Sequence, residues 1–218
     1  MMAGRRRRND DRALARRPPT RTPLPLLLVV CEGRVTEPQY LRRFARAQGA
    51  NTVCLVVEAP GGDPRALVER AIELRDEAAA RAVREGDENL AYDEVWCVFD
   101  VDDHARLRAA RELAERTEIV LAVSNPCFEL WLILHFREHG AHLTSRRAAQ
   151  LLEQHIPGFH KHVRYEDLSI GYADAVQRAT TLERRHLKAG TDGANPSTGV
   201  HRLTERIRML GKANRLKS

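Results

Sequence analysis

Four short apolar runs, at residues 26–31, 53–57, 95–99 and 119–123, constrain this chain more than any other feature. Each is too short for a stable helix and is bounded by polar residues, the pattern of a buried strand. Between and after them lie stretches with helical periodicity, at 37–47, 63–84, 105–116 and 127–138. Strands alternating with helices predict βαβ units and a mostly parallel four-stranded sheet flanked by helices. The runs are apolar at nearly every position instead of alternating, so both faces of the sheet should be covered. From residue 144 the character changes. Helices are expected at 145–155, 173–188 and 198–210, with loops at 156–158 and 190–197 and no further strand. The expected organisation is a disordered basic arm over 1–22, an α/β core over 23–139, and a helical C-terminal extension over 140–218 packed on that core.

Charge is distributed unevenly. Residues 1–21 hold eight arginines (Arg5, Arg6, Arg7, Arg8, Arg12, Arg16, Arg17, Arg21) against Asp10 and Asp11, which accounts for the whole net charge of +6. The remainder balances, with 28 basic and 28 acidic side chains. Such a block reads either as a nucleic-acid-binding arm or as a solubilising tail. Pro18-Pro19 and Pro23-Leu24-Pro25 mark a linker from it into the fold. Cys31, Cys54, Cys97 and Cys127 form no CxxC pair, and three of them lie inside apolar runs. Free thiols in a reducing, cytoplasmic compartment are expected, without disulfides or zinc. No apolar run is long enough to span a membrane, and no secretory signal is visible at the basic start.

Polar residues gather where the strands end. In open α/β sheets ligands bind outside the carboxyl ends of the strands. The first run ends in Cys31-Glu32-Gly33, the second in Val57-Glu58, the third in Asp100-Val101-Asp102-Asp103, the fourth in Ser124-Asn125-Pro126. Asp100 and Asp102 leave the same face of an extended chain and can share one divalent ion. Asp102 or Asp103 can equally cap the following helix. Glu32 has no local structural duty at the end of a buried strand, which marks it as a site residue. With Asp100, Asp102 and Glu58 it would line one edge as the oxygen-only shell that Mg²⁺ prefers.

Other polar residues have structural explanations. Gly33 can adopt positive φ and bring backbone close to a phosphate. Glu37 suits the helix dipole in the first turn, where Thr36 can complete a cap. Asn125 and Pro126 read as N-cap and first helical residue, and Asn195-Pro196 repeats that grammar before the last helix. Glu129, in the first turn of a very apolar helix, can face the metal edge. His135 reads as a satisfied core histidine. Lys161, Arg202 and Arg206 are candidate phosphate contacts, though solvated charge is the commoner fate of such residues.

Four motifs in order carry a family resemblance. They are Glu32-Gly33-Arg34-Val35-Thr36-Glu37 with Tyr40, then Phe99-Asp100-Val101-Asp102-Asp103-His104. Ser124-Asn125-Pro126-Cys127-Phe128-Glu129-Leu130-Trp131 with His135-Phe136 follows, and Asn195-Pro196-Ser197-Thr198 closes the set. Together they resemble the RloB-like family, over residues 24–210. The resemblance implies a Toprim-like fold, the Mg²⁺-binding α/β module of topoisomerases, primases and some nucleases. It also implies bacterial phage defence by abortive infection, linked to restriction-modification loci. In that module a glutamate after the first strand is the general acid or base and a DxD holds metal. Carried over, Glu32, Asp100 and Asp102 are catalytic, and the same three with Glu129 hold Mg²⁺ or Mn²⁺. Asn125, Glu129 and Lys161 fall at patterned positions of the family. Asn125 and Lys161, with Arg5–Arg8 of the arm, are expected to contact nucleic acid. The substrate class implied is RNA, including tRNA, or DNA, and an ATPase encoded nearby is the partner the resemblance suggests.

Three functions are therefore in play. A metal-dependent nuclease uses the acids for phosphodiester hydrolysis. A phosphatase would use Asp100 as nucleophile, but enzymes of that kind place the DxD on the first core strand, whereas here it follows the third. A non-catalytic nucleic-acid- or partner-binding module would use the acids only as helix caps.

Overall fold

The computed structural model describes residues 25–57, 63–101, 104–159 and 162–217. The Arg5–Arg8 arm, Glu58, Asp102, Asp103 and Lys161 therefore lie outside the described residues.

The four apolar runs form strands β1 (Leu27–Cys31), β2 (Val53–Val57), β3 (Glu94–Asp100) and β4 (Val120–Asn125). They pair in parallel in the order β2-β1-β3-β4. Successive side chains in β1 enter opposite cores, as a period of two requires. Leu27, Val29 and Cys31 join one cluster, and Leu28 and Val30 join the other. Because each face is covered, the strand has no position left for a polar residue.

One face is covered by α2 (Pro64–Glu85) and α3 (His104–Arg116), which pack on each other. The start of α2 is fixed by Asp63, whose carboxylate accepts the Arg65 N–H at 3.0 Å, with Pro64 at the first helical position. The other face is covered by α1 (Thr36–Gln48), α4 (Glu129–Leu134), α5 (Ser145–His155), α6 (Tyr165–Leu168), α7 (Tyr172–Ala189) and α8 (Val200–Lys217). Leu151, Leu182, Leu203 and Ile207 from the C-terminal helices share a core with Val29 and Trp131. Gly211 of α8 lies so close to the Gln48 carbonyl that a Cβ there would collide with backbone. The α8 residue Arg206 also pairs with Glu94 at the start of β3, its Nε at 2.7 Å from Oε1.

Several expectations need correction. The sheet has five strands: β5 (Ser197–Thr198) pairs antiparallel with Ser124 and Asn125 of β4. A two-residue polar strand leaves no periodicity to read, since it exists only through its partner. Asn125 is the last residue of β4 and not an N-cap, and both Asn125–Pro126 and Asn195–Pro196 are cis. Asn195 brackets Leu143 instead, accepting its N–H at 2.8 Å and donating to its carbonyl at 2.7 Å. The long helix expected over 127–138 is only α4. The His135 imidazole Nδ1 lies 2.9 Å from the Trp131 carbonyl, while the His135 N–H turns to Leu132, a tightening that ends the helix. Arg178 then donates to the last helical carbonyl, Leu134, at 2.7 Å. At the head of α1 the cap residue is Val35, whose side chain makes no cap hydrogen bond. Among the described residues, no helix is long and apolar enough to cross a membrane, and all four cysteines are free.

Candidate acidic site at the sheet edge

The parallel register brings Cys31 level with Val98, and Asp100 level with Ser124. Glu32 therefore leaves β1 beside the end of β3. Its backbone N–H donates to the Val98 carbonyl at 3.0 Å, continuing the ladder one residue past the strand. Its Oε2 reaches to 3.5 Å from the Asp100 N–H. Both carboxylates are half-buried at the carboxyl edge of the sheet. The Val101 N–H donates to the Ser124 carbonyl at 2.9 Å, so the backbone is held to the sheet for one residue beyond Asp100.

Glu37 belongs to the same corner, which its sequence position did not announce. It is buried (8 % exposed) in the first turn of α1. A Cβ on Gly33 would collide with its carboxylate. Gly33 is thus needed for the space that it leaves empty, and its φ is not positive. Burial pushes the Cys31 thiol well up, the Glu37 carboxylate pushes it further, and Arg42 opposes.

On the β4 side, burial followed by the charges of Glu129 and Asp100 raises the Cys127 thiol well above its ordinary value. The half-buried Glu129 therefore lies on the same side as Asp100, around Cys127. Asn125 is buried, and its Nδ2 donates to the Gly193 carbonyl at 2.9 Å. Ser124 Oγ and Thr198 Oγ1, both buried, lie 3.1 Å apart and close β4 against β5. Away from the edge, His135 has Nε2 at 3.2 Å from the Tyr40 hydroxyl. With Nδ1 donating to Trp131, Nε2 accepts from Tyr40, so both ring nitrogens are satisfied as a core histidine requires.

The donors at this edge are carboxylate oxygens, the chemistry that suits Mg²⁺ or Mn²⁺. Among the described residues, no group of three or more His, Cys, Asp or Glu side chains could hold a metal ion. Of the four expected ligands, Glu32, Asp100 and Glu129 are described and do not by themselves form such a group, and Asp102 lies outside the described residues.

These features define an α/β protein with an acidic site on the carboxyl edge of a mostly parallel sheet. A family model described as RloB-like protein matches residues 27–207, spanning all five strands and the first part of α8. The chain belongs to the RloB-like family, as its four motifs imply. No curated protein and no solved structure matches it.

Proposed function

We propose that the chain is a Mg²⁺- or Mn²⁺-dependent phosphodiester nuclease of the Toprim type, acting on RNA or DNA in phage defence. The observation that carries this reading is the approach of Glu32 to Asp100 at neighbouring strand ends. Acidic side chains gathered half-buried at neighbouring strand ends favour a bound cation or proton. A divalent ion would be held by Asp100, Asp102 and Glu32, with Glu129 outside that group, and would supply charge neutralisation at the scissile phosphate and an acidified water. Asp100 holds that charge fixed, because the backbone on both sides of it is hydrogen-bonded into the sheet. Glu32 accepts the proton of the attacking water or returns one to the leaving oxygen. Asn125 positions the segment before β5 through the Gly193 carbonyl. Lys161 and the Arg5–Arg8 arm add contacts to the phosphate backbone.

The test is purified protein with Mn²⁺ against total RNA, single-stranded DNA and duplex DNA, beside Glu32→Gln. Cleavage of one substrate by the native chain and none by Glu32→Gln, at unchanged melting temperature, is expected. Equal cleavage by both removes Glu32 from the chemistry.

A further inference from the structure

About half of the described arginines pair with acids, among them Arg65 with Glu69, Arg108 with Glu112 and Arg206 with Glu94. What sets the head of α1 apart is that several arginines line one concavity there. Arg34, Val35, Gln39, Arg42, Arg43 and Arg46 line a concavity of about 360 Å³ that, among the described residues, has no acid in its wall. Arg43 pairs with Glu166 at 3.5 Å. Arg34, Arg42 and Arg46 are exposed and, among the described residues, make no ion pair.

Their placement is directional. Arg34 sits two residues after Glu32, between the acidic edge and the head of α1. Gln39, Arg42 and Arg46 follow at spacings of three and four, which puts them on one helical face. Arg42 and Arg46 are about 6 Å apart along the helix axis. The concavity is held in shape, since Gln39 Oε1 accepts the Val163 N–H at 2.7 Å. Arg42 is also close enough to the edge to oppose the rise of the Cys31 thiol at the end of β1.

Guanidinium groups crowded without counter-charge repel one another until an anion enters. A single small anion answers one or two of them. A row that starts at the acidic edge and continues down a helix suits a polymer with a repeating negative charge. We propose that Arg34, Arg42 and Arg46 form the track for backbone phosphates of the nucleic-acid strand that reaches the Glu32–Asp100 edge. The direction of that strand rests on the nuclease reading; the binding does not.

The experiment measures fluorescence anisotropy of a labelled single-stranded RNA and a labelled duplex DNA with the full chain, across a salt series without divalent metal. The variants are R34A/R42A/R46A, its restoring counterpart R34K/R42K/R46K, and R65A/R70A/R108A. The last removes three charges from the opposite face of the sheet. Three lost phosphate contacts make the salt slope of log K on a single strand shallower by about 2, and weaken binding by about 100-fold near 0.1 M salt. The alanine triple is expected to show both effects, the lysine triple to recover most of the affinity, and the opposite-face triple to bind as the native chain does. Native-like binding by the alanine triple overturns the proposal, as does equal loss in the opposite-face triple. No binding by the native chain, or capture of acidic peptide with no affinity for nucleic acid, overturns it too. Binding that depends on the three arginines, with no cleavage by the native chain in Mn²⁺, leaves the track standing and removes the nuclease reading. Cleavage by the native chain with an unaffected alanine triple does the reverse.

Discussion

His135 makes the stability of this protein sensitive to mild acid. It is 5 % exposed, and burial lowers its pKa to about 4 from an ordinary value near 6.5. Above about pH 6.5 the imidazole is neutral in both folded and unfolded chains, and its contribution is complete. Between about pH 6.5 and pH 4 the unfolded chain takes up a proton that the folded chain refuses. Stability then falls by about 1.4 kcal/mol per pH unit, which amounts to about 2 kcal/mol at pH 5 and about 3 kcal/mol at pH 4. His135→Phe isolates this term. Near pH 7 the variant is expected to be less stable by about 1–3 kcal/mol, because the Tyr40 hydroxyl and Trp131 carbonyl lose a buried partner. It carries no proton site at 135, so the gap to the native chain should narrow by about 2 kcal/mol on going to about pH 5. Urea unfolding in a pH series, followed by tryptophan fluorescence, reads the gap directly. His139 and His201, which burial also lowers, titrate in both proteins and cancel in the difference. A gap that stays constant from pH 7 to pH 5 would refute the reasoning, since it would mean that His135 is protonated as readily in the fold as outside it.

Three further outcomes follow from the packing and the acidic edge. Gly33→Ala drives a methyl group into the Glu37 carboxylate and is expected to cost about 1–3 kcal/mol. In a double-mutant cycle with Glu37→Ala the combined cost should be smaller than the two single costs added, and simple additivity would argue against the contact. Asn195→Ala strips both polar partners from the Leu143 backbone and should lower stability by about 2 kcal/mol in chemical denaturation; a loss near zero would show that water replaces the amide. Millimolar Mn²⁺ should raise the melting temperature of the native chain by mass action and leave Asp100→Asn unmoved, whereas equal shifts in both would place the ion elsewhere.

The parallel part of the fold was legible because burial on both faces writes itself into sequence. Val29 and Val30 enter different cores, yet both must be apolar, and that gave β1 to β4 without ambiguity. What could not be read was whatever depends on a distant partner. Ser197 and Thr198 are a strand only because Ser124 and Asn125 lie opposite. Asn125 and Asn195 looked like caps, since local rules know nothing of Gly193 or of Leu143. The same limit held at the acidic edge. Glu32 and Asp100 were visible as acids out of place at strand ends, whereas Glu37 had a sufficient local explanation. Only the fold shows it buried against Gly33. The arginine row was hidden for the opposite reason: charge on a helix is ordinary, and only the fold shows these arginines lining one concavity.

The small strand β5 also sets an order of events during synthesis. Strands β1 to β4, with Glu32, Glu37 and Asp100, have all been made by the time Asn125 is added. The outer edge of β4 stays open at that stage, because Thr198 comes more than seventy residues later. A growing chain on the ribosome therefore presents an unsealed sheet edge next to Asp100. Ser124 and Thr198 can meet only after that stretch has been made, so the seal on the sheet edge beside Asp100 is a long-range contact that the first four strands cannot supply.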